Sequence, residues 1–90
     1  MNLTIKKHEV YDMDDALMII PYMGNSLDVS HVAYLEKDSL VIWGYLNAGF
    51  SESDIVDKIA KQYRVSKSII EKDVHDFILD LAKIGIVEYQ

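Results

Sequence analysis

The sequence predicts an α+β fold, a three-stranded antiparallel sheet followed by three helices, from three observations. Residues 3–35 alternate or run apolar over strand lengths around a Gly24-Asn25 turn, and residues 39–84 carry apolar side chains at helical spacing. Between them Leu27 to Trp43, LDVSHVAYLEKDSLVIW, reads as an extended segment that turns directly into a helix. The chain has 90 residues, 50% of them hydrophobic, which suits a single domain over residues 1–90 with one core.

Leu3 to Val10 alternates weakly and is expected to be the first strand, ended by the acidic turn Asp12, Asp14 and Asp15. That cluster lacks the ordered ligand spacing and the closing glutamate of a calcium loop, so it reads as a solvated turn. Ala16 to Met23, ALMIIPYM, has the length and continuity of a buried strand. Pro21 interrupts it: the strand ends there, or a bulge accommodates it, or its missing N–H falls at a non-paired position. Gly24-Asn25 supplies hairpin chemistry and returns the chain along Leu27 to Leu35.

Asp38 is the expected cap of the first helix, SLVIWGYLNAG, with Gly49 ending it in a left-handed conformation. Trp43, flanked by Ile42 and Leu46, belongs to the core; as a stacking platform for a base or sugar it would need exposure that this spacing does not give. Ser51-x-x-Asp54 is a capping-box variant opening a second helix, whose Ile55, Val56, Ile59 and Tyr63 share one face and which ends near Arg64. Ser66 caps the longest helix, Lys67 to Ile84, which Gly85 terminates before IVEYQ.

At about 100° per residue, Ile70, Val74, Phe77, Leu81 and Ile84 of that last helix fall in one sector, with Ile78 at its edge. Beside this inward seam, Ile69, Asp73, Asp76 and Asp80 form a narrow stripe, and Lys72, His75 and Lys83 take the remaining face. Charge runs are ordinarily solvated faces, and this one becomes the border of a peptide groove only if a strand edge lies nearby. Leu27 to Leu35 contains neither lysine nor proline, the usual blocks on an exposed edge, and so reads as a strand kept open for a partner.

Composition excludes several classes. With no cysteine there are no disulfides, thiolate metal sites or cysteine nucleophile. No apolar run approaches the roughly 18 residues of a membrane span, and the N-terminus MNLTIKKHEVYDMDD is too charged for a secretion signal, which predicts a cytoplasmic protein that leaves membranes alone. His8, His31 and His75 are scattered without metal-ligand spacing, and no G-x-S-x-G, phosphate loop or H-E-x-x-H occurs, so neither catalysis nor a cofactor is expected. Two helices after a small sheet also describe a winged-helix DNA-binding regulator. Against that alternative, the last helix sets Lys67, Lys72 and Lys83 against Glu71, Asp73, Asp76 and Asp80, in a chain of net charge -6, and phosphate rails would repel it.

The stretches LEKDSLVIWGYLNAG and SESDIVDKIAKQYRVSKSIIEKDVHDFILDLAKIGIVE resemble the PqqD-like RiPP recognition elements, small domains that bind the leader of ribosomally made precursor peptides. The positions that carry the resemblance are Leu35, Ile42-Trp43, Gly49, Ile55, Ile59, Tyr63, Val65, Asp73-Val74, Phe77-Ile78, Leu81 and Gly85-Ile86, across roughly the last two-thirds of the chain. Glu36 stands where the family has asparagine, so the cap of the first helix must be built differently. The resemblance implies a winged-helix-like fold in which the leader adds as a strand to the edge of the third strand, against the last helix. It also implies a separate processing enzyme, a leader peptidase or a radical-SAM enzyme; of the lasso-peptide and PqqD types, the lasso-peptide type is the more natural for a free-standing copy that is not a close PqqD match. On this reading Val29, Ser30, His31, Val32, Ala33 and Tyr34 pair with the leader through the backbone. Ile69 and Phe77 receive its apolar side chains, and Asp73, Asp76 and Asp80 favour its basic residues.

Overall fold

The computed structural model describes residues 3–90. The elements run β1 (Leu3–Ile5), β2 (His8–Asp12), β3 (Ala16–Met23), β4 (Ser26–Leu27), β5 (Ala33–Glu36), α1 (Asp38–Asn47), α2 (Glu52–Tyr63), α3 (Lys67–Lys83) and β6 (Val87–Tyr89). The expected α+β order holds, with the first and third strands each broken in two and a short strand added at the end.

The first strand breaks at Lys6-Lys7. β1 pairs antiparallel with β6, Leu3 opposite Tyr89 and Ile5 opposite Val87, and Lys6 N–H donates to the Ile86 carbonyl at 2.8 Å. β2 pairs instead with β3, from His8 opposite Pro21 to Asp12 opposite Leu17. The acidic connection is an Asx turn in which Asp14 N–H donates to Asp12 Oδ1 at 3.1 Å while Asp14 takes a φ of 68°. After β3, Gly24 has a φ of 63° and Asn25 a negative φ, the pattern of a two-residue II′ hairpin.

Pro21 sets the course of the third strand. In an antiparallel ladder the N–H and C=O of one residue point to the same side. The Pro21 carbonyl accepts Asp28 N–H at 2.8 Å, so its missing N–H also falls on the side of the third strand, where it leaves the Asp28 carbonyl without its ladder donor. His31 N–H takes that carbonyl at 3.1 Å instead and closes a turn over residues 28–31. Leu27 faces Tyr22 and Ala33 faces Ile19, six steps on one strand against three on the other, so three residues are looped out. The expected continuous strand Leu27 to Leu35 is therefore corrected to β4, a looped segment and β5.

The helices cover one face of the sheet. The core draws Ile19 and Leu35 from the sheet, Ile42, Trp43 and Leu46 from α1, Ile55, Val56 and Ile59 from α2, Val74, Ile78 and Leu81 from α3, and Ile86 and Val87 behind them. Trp43 is buried as expected and meets the His8 ring edge-on, centroids 5.4 Å apart, which ties α1 to β2. On α3 the buried line is Val74, Ile78 and Leu81, with Ile70, Phe77 and Ile84 at its margin, a small rotation from the predicted seam.

Caps follow the sequence in two of three helices. Ser51 Oγ accepts Asp54 N–H at 3.2 Å, and α2 stops where Arg64 turns left-handed, φ 56°. Ser66 occupies the cap of α3, although its side chain makes no capping bond. At α1 the cap position is Lys37, with φ 55° and ψ -123°, and Asp38 lies in the first turn. Ser39 supports this strained junction: its Oγ accepts Glu36 N–H at 2.9 Å and donates to the Glu36 carbonyl at 2.7 Å. Among the described residues no helix is long and apolar enough to cross a membrane.

Candidate functional site

β5 pairs with β3 on one side, and among the described residues no strand covers its other side. The ladder alternation sets which of its groups are open. Pro21, Ile19 and Leu17 face the third strand, so their partners Ala33 and Leu35 point backbone groups back at β3. The 2.9 Å bond from Met13 N–H to the Ala16 carbonyl, on the β2 side, obeys the same alternation. Tyr34 and Glu36 therefore present their N–H and C=O outward. Ser39 already occupies both groups of Glu36, which leaves Tyr34 as the open pair within β5. Its side chain is 58% exposed and stands in a cross-strand row with Met18 and Tyr11, on the sheet face away from the buried Leu35.

The looped segment flanks this edge. Asp28 organises it: Oδ1 accepts Ser30 N–H at 3.2 Å and the Ser30 hydroxyl, and Oδ2 pairs with His31 Nδ1 at 2.8 Å. The Ser30 hydroxyl, and after it His31, holds the Asp28 carboxyl below the usual carboxylate range. Val29, Ser30 and His31 thus lie in a turn and not along an edge, and Val32 is the exposed link into β5. Ala33 turns inward and packs at the core margin. The motif D-x-S two residues apart is the signal for this Asx turn.

On α3, Ile69 is 61% exposed, Asp73, Asp76 and Asp80 are all exposed, and Phe77 packs at the core margin. The three carboxylates are not equivalent. Lys72 Nζ lies 2.6 Å from Asp76 and holds its carboxyl below the usual range, while Lys83 stands 4.0 Å from Asp80. Asp73 has no cation within that distance among the described residues. It borders an apolar hollow of about 160 Å³ at the foot of β5, walled by Asp38 and Val41 of α1, Ile59 and Tyr63 of α2, and Ile70 of α3. Sequence reasoning misses Asp38, Val41, Tyr63 and Ile70 as site residues. The signal for them is Tyr63-Arg64-Val65, where the left-handed Arg64 leaves two apolar side chains half-exposed at the end of α2.

A larger depression, about 820 Å³, lies past the opposite flank of α3. Most of its charges are already paired: Lys67 with Asp57 at 2.7 Å, Lys72 with Asp76 at 2.6 Å, and Glu52 takes His75 Nδ1 and the Tyr89 hydroxyl, each at 2.9 Å. Burial, and then the bond to Glu52, pushes the Tyr89 hydroxyl up to about 12. This network fastens α2, α3 and β6 together.

Residues 27–87 match the family described as coenzyme PQQ synthesis protein D (PqqD). Among solved structures, the chain is similar to TbiB1 in complex with the TbiA(beta) leader peptide, with a TM-score of 0.77 and 24% identity over 100% of this chain and 98% of that one. A search of the curated proteins finds no match.

Proposed function

The chain belongs to the PqqD family, and from that membership we propose a noncatalytic adaptor that binds the leader of a ribosomally synthesised precursor peptide and presents it to a separate enzyme. The observation that carries this reading is the open backbone pair of Tyr34 beside an apolar hollow and an acidic helix stripe. A leader strand laid along β5 gains main-chain bonds at Tyr34, with Val32 extending the contact and Val29, Ser30 and His31 flanking it. Its inward side chains meet Ala33, Phe77 and Ile69, and Asp73, Asp76 and Asp80 draw basic residues to that side. The leader peptide that TbiB1 holds supports the same use of this fold.

The processing enzyme is a leader peptidase of the lasso-peptide kind or a radical-SAM enzyme, and the complex works in the cytoplasm. Nothing favours the DNA-binding alternative, since a helix with this acidic stripe is repelled from phosphate. Fluorescence anisotropy with the leader half of the precursor peptide encoded beside the gene tests the adaptor reading, with the core half as control. Binding of the leader half alone supports it; binding of neither half, or of the core alone, overturns it.

A further inference from the structure

The hollow at the foot of β5 has walls from three helices and a size that limits its occupant. At about 160 Å³ it compares with an apolar cavity of about 150 Å³ that holds one benzene ring, and falls short of the roughly 300 Å³ at which small-molecule pockets begin. One large apolar side chain fits. The position suits a peptide on β5, because Glu36 ends that strand and Asp38, two residues on, is part of the wall.

The charges at the hollow are of one sign. Asp38 and Asp73 both line it, and among the described residues neither has a cationic group within 4.0 Å, the separation at which even the long Lys83–Asp80 pair is formed. Lys72 feels Asp73 weakly, but its ammonium is committed to Asp76 at 2.6 Å. No lysine or arginine lines the hollow. An apolar occupant flanked by acidic groups is therefore matched by an apolar side chain with a cation next to it.

We infer that this hollow takes one apolar side chain of the bound peptide and that Asp38 and Asp73 select peptides carrying lysine or arginine within one or two positions of it. The inference deepens the leader-binding reading and rests on it. Of the carboxylates on that side these two contribute most to the charge preference, because Asp76 and Asp80 each already face a lysine, Lys72 at 2.6 Å and Lys83 at 4.0 Å.

The test is a selection of random twelve-residue peptides displayed against the immobilised full chain, followed by anisotropy of the enriched peptides at low salt. Enriched peptides are expected to share an apolar residue with a neighbouring basic one. Asp38→Asn and Asp73→Asn are each expected to weaken their binding roughly threefold to fivefold, the upper end of what an exposed ion pair contributes. Asp76→Asn has a smaller effect, and all three variants keep the wild-type melting temperature to within a few degrees. Enriched peptides with no basic preference, or a preference that survives the Asp38→Asn, Asp73→Asn double variant, overturn the inference and leave strand addition standing. Selection of no peptide overturns strand addition and the inference together. Ile70→Trp, which fills the hollow, separates the two parts: lost binding of the enriched peptides is expected, and unchanged binding overturns the apolar subsite.

Discussion

The Asp28 amide donates to the Pro21 carbonyl at 2.8 Å, and the reciprocal ladder bond cannot form because Pro21 has no N–H. The Asp28 carbonyl turns to His31 N–H, and the third strand leaves the sheet for one turn before rejoining it as β5. One residue in the central strand thereby sets where the open edge begins, at Val32 and Tyr34 and not at Val29.

In Pro21→Ala the new amide points at the Asp28 carbonyl, which has a second lone pair to offer. That amide is expected to exchange slowly, in a buried strand, and the His31 amide to exchange faster as the two compete. Stability changes little: a gained bond of about 1 kcal/mol offsets the cost of about 0.4–1 kcal/mol from a freer unfolded chain, together with some lost packing. Residue-resolved hydrogen exchange by NMR checks it. Fast exchange at position 21 would mean that the looped segment is held by something other than the proline.

The Asp28 clasp has a predictable pH dependence. Its carboxyl lies below the usual range in the folded state, so the clasp contributes stability above the unfolded value of about 3.9, and that contribution disappears as pH falls through the lower folded value. Asp28→Asn removes the titration. The melting-temperature gap between wild type and Asp28→Asn is expected to persist at pH 5 and to close below about pH 4. A gap independent of pH down to the acid limit would show that the carboxylate charge is not what holds Ser30 and His31.

Tyr89 gives the opposite sign. A hydroxyl raised to about 12 from an unfolded value of about 10 stabilises the fold below pH 10, and that share is lost as pH rises towards 12. Tyr89→Phe is expected to cost about 1 kcal/mol at neutral pH, by removing a bond to a carboxylate at a half-exposed site, and to flatten the stability loss between pH 10 and 12. Urea unfolding of the two proteins across that range measures both. Equal slopes would place the alkaline transition on other groups.

How far the sequence reaches is set by whether a signal is local. Ser51, Gly49 and Gly85 mark helix ends through bonds made within a few residues, Ser66 marks one by its position alone, and those ends lie where the sequence puts them. The breaks at Lys6-Lys7 and at Asp28 are not local: one depends on Val87 and Tyr89 arriving from the far end of the chain, the other on Pro21 seven residues away. Likewise Asp73 is legible as one of a stripe, whereas its distinction from Asp76 rests on which lysine reaches which carboxylate. The wall formed with Asp38 needs α1 and α3 brought together.

Tyr34→Pro offers the sharpest separation of fold from binding. The Tyr34 amide points away from β3, so removing it deletes no ladder bond, and proline is accepted on edge strands where the lost N–H faces outward. The fold is expected to survive with a melting temperature lowered by a few degrees, from the constrained φ and the lost Tyr34–Met18 contact. Leader binding, however, loses the one donor that β5 keeps open, and the ring intrudes on the approaching strand, so affinity is expected to fall at least tenfold. Tyr34→Ala is the control: it trims the side chain and keeps the amide, and should cost clearly less. If Tyr34→Pro binds the leader as wild type does, strand addition at β5 is wrong, and the outer edge of β2, which also has no paired strand among the described residues, is the next to examine.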